Sequence, residues 1–155
     1  MDEPRLATRK EGTQYVLDRL MQLGVNPYLP TMDVEGVDAI VRQQSGTHLE
    51  VQVRTSTQAH YPRWFRMQRL EPRPNLYIVC LALGPEGQPM ESWIVPSEVF
   101  ARWAVVSPEG SHDLDLDSTP PDESRNRGGI LAQYQNRWEL LTADAAKPWP
   151  TNPQS

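Results

Sequence analysis

Two short runs, residues 37–42 and 48–54, alternate apolar and polar side chains with a period of two. Val37, Ala39 and Val41 occupy the odd positions of the first, and Leu49, Val51 and Val53 those of the second. A period of two belongs to a β-strand with one buried face. Between them stands Gln43-Gln44-Ser45-Gly46-Thr47, a turn with its glycine, so the pair reads as a hairpin. Both apolar sets must face one core, which restricts the pairing to registers that keep odd opposite odd. A three-residue loop at Ser45-Gly46-Thr47 sets Asp38 opposite Arg54, Ile40 opposite Gln52 and Arg42 opposite Glu50. Asp38, Glu50, Gln52 and Arg54 then share the face turned away from that core.

The flanking sequence predicts an α/β chain. Val16, Leu17, Leu20 and Leu23 recur at helical spacing within residues 5–23, and Gly24 follows where a glycine stops a helix. Residues 26–32 read as a short edge strand because Pro27 and Pro30 interrupt them, and a turn is expected at Asp33-Val34-Glu35-Gly36. After a crossover over 55–74 come a strongly apolar strand, 75–83, a turn, and a second strand, 91–95. Ser97 is expected to cap a short helix over 98–104. Residues 107–129 read as a loop. An amphipathic piece over 130–141 docks Trp138 and Leu141. Length and pattern give one domain over 1–141, with a mobile tail from Thr142 that holds Pro148, Pro150 and Pro153.

Composition narrows the function classes. The single cysteine, Cys80, lies inside the apolar strand, so no internal disulfide framework exists and a reducing cytoplasm is expected. The charged start lacks the apolar core of a signal peptide, and no apolar run approaches the roughly 20 residues that span a bilayer, so no membrane partner is expected. The net charge is −5, unlike a dedicated nucleic-acid binder. Its distribution is uneven. Arg54, Arg63, Arg66, Arg69 and Arg73 face only Glu71 within 54–73, whereas 107–124 hold six acids and no lysine or arginine. A basic face is expected, with the acidic segment lying elsewhere or over it.

The order helix, short strand, hairpin, crossover, strand, strand resembles the PD-(D/E)XK nuclease superfamily, which includes many restriction enzymes and Holliday-junction resolvases. "EGVDAIV" supplies an aspartate, Asp38, and "LEVQVRTS" supplies Gln52-Val53-Arg54 where that family has an acidic-x-lysine. The Gly-x-Asp and Gln-x-basic-Thr-Ser combination is similar to type IV restriction enzymes and small nuclease-like bacterial proteins. "NLYIVCLALG", "SWIVPSEVF" and "YQNRWELL" extend the likeness across residues 6–141. The resemblance implies a restriction-endonuclease-like fold, a central mixed sheet in an αβββαβ core flanked by helices. It also implies a Mg²⁺- or Mn²⁺-dependent deoxyribonuclease, with Asp38, Glu50 and Gln52 as metal donors and Arg54 as the fourth catalytic residue. DNA would be the partner, tracked by Arg63, Arg66, Arg69 and Arg73, with Trp64 stacking on a base. Many relatives act as dimers.

Departures from the family pattern bear on activity. Arginine stands where lysine is usual; it can clamp a phosphate but cannot serve as a base. The helical position that is often glutamate is Thr13, and Glu11 lies on another helical face. A weakened enzyme and a binding-only descendant both fit, the latter holding nucleic acid or a protein partner. An acidic, immunity-like protein with no affinity for nucleic acid is the third reading. The same hairpin residues also make sense as opposite-charge cross-strand pairs, each worth roughly 0.2–1 kcal/mol.

Overall fold

The computed structural model describes residues 9–30, 36–56, 63–116 and 129–146. The alternating runs form strands β1 (Ala39–Arg42) and β2 (His48–Thr55), paired antiparallel. Their register differs from the expected one: Arg42 lies opposite His48 and Ile40 opposite Glu50. The turn explains the difference. Gly46 donates its N–H to the carbonyl of Gln43 and has φ of 93°, so the loop residues are Gln44, Ser45 and Gly46. A type I turn closed by a left-handed residue needs glycine at the third loop position, which the expected loop would have put second. The slip is by two residues, so every side chain keeps its face.

A four-stranded mixed sheet follows in the order β1-β2-β4-β5, with β4 (Leu76–Leu83) parallel to β2 and β5 (Pro89–Pro96) antiparallel to β4. Helix α1 (Arg9–Gln22) covers one face. Its Val16, Leu17 and Leu20 pack with Ala39, Val41, Val51, Val53, Val79, Leu81 and Ile94. Gly24 has φ of 87°; its N–H bonds Met21, and the N–H of Val25 bonds Leu20, the two bonds of a Schellman stop. Trp138 and Leu141 close the same core, as their apolar side chains suggested. They flank and fill a short helix α3 (Glu139–Thr142), which follows a 3₁₀ segment (Gly129–Tyr134).

The other sheet face is also buried, contrary to the expectation of a solvated side. A second sheet, ordered β3-β7-β6, lies over it, built from β3 (Trp64–Met67), β7 (His112–Asp115) and β6 (Val105–Val106). Phe65, Met67, Leu114 and Leu116 pack there against Ile78, Cys80 and Val95, with Phe100 from helix α2 (Ser97–Trp103). Being covered on both sides, β4 reads as a nearly unbroken apolar run. Cys80 is fully buried in it, and desolvation pushes its thiol pKa far up, so it stays protonated.

Three further expectations are corrected. The crossover, which an αβββαβ core would fill with a helix, holds β3 among its described residues; Phe65 and Met67 point inward while Arg66 stays exposed, a strand alternation. The acidic loop contains β7, because Leu114 and Leu116 alternate with the acids around them. Ser97 is the first residue of α2 and not its cap, a position taken by Pro96. The tail expected from Thr142 makes backbone bonds in its first residues: the N–H of Gln44 bonds Asp144, and that of Ala146 bonds Arg42. Most of the turn at 33–36 and the tail from Lys147 lie outside the described residues.

Candidate functional site

Strand β2 puts Glu50, Gln52 and Arg54 on one face, because all three are even-numbered. Asp38 precedes β1, which ends its pairing at Ala39 opposite Val51. The Asp38 N–H donates to the carbonyl of Val51 at 2.7 Å, and its Oδ2 accepts the N–H of Val53 at 2.8 Å. The carboxylate thus takes over where the backbone ladder stops. Arg54 lies on the same spot. Its Nη1 donates to the carbonyl of Val53 at 2.7 Å and stands 3.8 Å from Asp38 Oδ2. The expected Asp38–Arg54 ion pair therefore exists, although these residues are not directly opposite.

Gln52 is 2% exposed, and its amide rests against Gly36. A side chain at Gly36 would put its Cβ 3.2 Å from Gln52 Nε2, and the φ of 83° there also calls for glycine. In the sequence Gly36 marks only a turn. Its role beside Gln52 requires the tertiary contact.

Glu50 turns to the crossover instead of to Arg42. Its Oε1 accepts a bond from Arg73 Nε at 2.7 Å. Arg73 is itself fixed by the buried hydroxyl of Ser97, which accepts the Arg73 N–H at 3.0 Å and donates to the Arg73 carbonyl at 2.8 Å. No signal local to Ser97 marks this grip, because the two residues meet only through the fold. The result is a cleft of about 280 Å³ that brings Gly36, Gln52 and Arg54 of the hairpin region together with Arg69 and Arg73 of the crossover.

The other crossover residues go elsewhere. Arg63 bonds Glu91 on β5 at 2.8 Å. Arg66 makes two bonds to Asp113 on β7, at 2.9 and 3.1 Å, and its guanidinium lies 4.8 Å from the centre of the Trp64 ring. That hydrogen bond holds the Asp113 carboxyl below the usual aspartate range and raises the Arg66 pKa. The described part of the acidic segment, β7, pairs beside β3 instead of lying over it, and its Asp113 claims Arg66. Trp64 carries an arginine on its ring where a base was expected.

A divalent ion such as Mg²⁺ takes oxygen donors, often one or two carboxylates plus substrate phosphate. The Asp38 carboxylate and Gln52 amide supply such donors, and a carboxylate that accepts one N–H retains lone pairs for a cation. Among the described residues, however, no three His, Cys, Asp or Glu side chains gather. The chemistry of these two oxygen donors suits a hard cation that takes its other ligands from phosphate and water. A larger hollow of about 580 Å³, between α1, β5 and the segment around Asn136, contains none of the candidate site residues.

No family model matches the sequence, and no curated protein matches it. Among solved structures, the fold is similar to that of a bacterial homing endonuclease, I-Ssp6803I, with a TM-score of 0.56 and 18% identity. The likeness covers 87% of this chain and 90% of that one. It is a likeness of fold.

Proposed function

We propose that this chain is a nuclease-fold protein of the PD-(D/E)XK type that binds DNA at the arginine-lined cleft and hydrolyses a phosphodiester there with Mg²⁺ or Mn²⁺. The observation that carries this reading is the convergence of Gln52 and Arg54 with Arg69 and Arg73 in one cleft, with Asp38 bound to the same strand. The fold shared with a homing endonuclease supports it. Asp38 and Gln52 hold the ion. When bound, it polarises the phosphate and lowers the pKa of a water. Arg54 donates to a phosphate oxygen and stabilises the charge that develops on it. Arg69 and Arg73 neutralise the backbone, and Glu50 positions Arg73. Because arginine does not give up its proton, no strong base faces the water, and turnover is slow.

The second reading is a module of the same fold that holds DNA without cutting it. The Glu50–Arg73 bond favours it, since it diverts the second carboxylate from the ion. Cleavage of single-stranded, duplex and branched DNA with Mg²⁺ or Mn²⁺ separates the two. Metal-dependent cutting that Asp38→Ala abolishes supports the enzyme. An inert wild type that gains activity as Arg54→Lys identifies a site silenced at one position. If neither protein cuts while DNA binding persists, the module reading stands.

A further inference from the structure

Within a β-strand, the N–H and the carbonyl of one residue point to the same side. Those of Val53 face the side where β1 has ended, so both would be left without a ladder partner. Two oppositely charged side chains complete the ladder: Asp38 Oδ2 accepts the N–H, and Arg54 Nη1 donates to the carbonyl. The guanidinium thereby stands among oxygens, 2.7 Å from Val53 O and 3.8 Å from Asp38 Oδ2. Both side chains are mostly withdrawn from solvent, 18% exposed for Arg54 and 11% for Asp38. A positive charge already stands 3.8 Å from the carboxylate oxygen that Asp38 would offer to a metal.

We infer that Arg54 is an internal cation that closes the Asp38 site to a divalent metal until a phosphate draws the guanidinium away. The inference rests on the proposed metal-dependent reading and adds its regulation. A Mg²⁺ ion held at about 2.1 Å by that carboxylate would stand against the guanidinium as a second cation, and the two repel. Arg54 also lines the cleft beside Arg69 and Arg73. A phosphate seated there offers its guanidinium a two-pronged, fully charged partner. Moving Arg54 to the phosphate frees Asp38, so DNA and metal bind with positive coupling, and by linkage each strengthens the other equally. Metal is admitted only beside bound substrate.

The test is Mn²⁺ binding by the full chain, followed by calorimetry and by loss of the free-ion resonance signal. Without DNA, Arg54→Gln should bind Mn²⁺ at least roughly tenfold more tightly than wild type. Adding Asp38→Asn to it should remove that gain. A short duplex at low salt should raise the Mn²⁺ affinity of wild type by a clearly larger factor than that of Arg54→Gln, where the ligating phosphate alone contributes. If Arg54→Gln fails to fold by circular dichroism, Arg54→Met supplies the same comparison. Equal Mn²⁺ affinity in wild type and a folded Arg54 variant overturns the inference, even if the wild type cuts DNA. A gain in Mn²⁺ affinity with no cleavage by any variant upholds the competition and removes the enzymatic reading instead.

Discussion

At the scale of single residues, Asp38 has two duties that different substitutions separate. Its carboxylate accepts the Val53 N–H, so Asp38→Ala leaves a part-buried donor unsatisfied and should lower stability by about 1–3 kcal/mol in a denaturant titration. Asp38→Asn keeps an acceptor oxygen and should unfold near the wild-type midpoint, yet lose any metal-dependent cleavage. The Arg66–Asp113 pair gives a pH prediction. The Asp113 pKa is lowered in the folded chain, chiefly by the Arg66 hydrogen bond, so its stabilising contribution is full above the ordinary aspartate range near ~3.9 and fades as pH falls through the lower folded value. Arg66→Gln should return Asp113 to the ordinary range in a carboxyl NMR titration. Salt should weaken the pair, because Arg66 is largely exposed. The grouping of Gln52 and Arg54 with Asp38 was legible because strand parity alone puts polar residues on one face. The Glu50–Arg73 bond was not, since it depends on where the crossover returns.

At the scale of elements, alternation decided what could be read. Strand β2 and strand β4 were evident from their apolar positions, whereas β3 and β7 were hidden because each has only two to four alternating residues amid arginines or aspartates. Hairpin register hung on the position of one left-handed glycine, Gly46. The junction between crossover and α2 carries a prediction. Ser97 is fully buried and bonds both the N–H and the carbonyl of Arg73. Ser97→Ala leaves the buried Arg73 N–H unpartnered, while its carbonyl keeps the Leu76 N–H, and should cost about 1–3 kcal/mol by chemical denaturation. It should also weaken DNA binding without altering any residue of the cleft. Unchanged affinity would mean that Arg73 keeps its place through Glu50 alone.

At the scale of the whole molecule, a net charge of −5 coexists with a local basic cleft because the arginines divide into two sets. Arg63 and Arg66 are bound to Glu91 and Asp113 on neighbouring strands, while Arg54, Arg69 and Arg73 line the cleft. The dependence of DNA affinity on salt should expose the division. Arg69→Gln should reduce the logarithmic salt slope by about 0.9, the share of one phosphate contact, and Arg66→Gln should leave it nearly unchanged. The order of elements was enough to point toward a mixed sheet flanked by helices, but burial of the second sheet face was not foreseeable from a hairpin read in isolation. The sheet's margins hold a further consequence. Beyond β1, Tyr28 exchanges two backbone bonds with Ile40, and Asp144 and Ala146 bond Gln44 and Arg42; beyond β5, Asn136 bonds Ser92. Exposed strand edges are templates on which further chains polymerise. Both margins of this sheet are stoppered by the chain's own irregular segments, so copies cannot easily extend it into a ribbon. Removing the segment after Leu141 would uncork one side, and such a truncation should turn a well-behaved solution into one that scatters light.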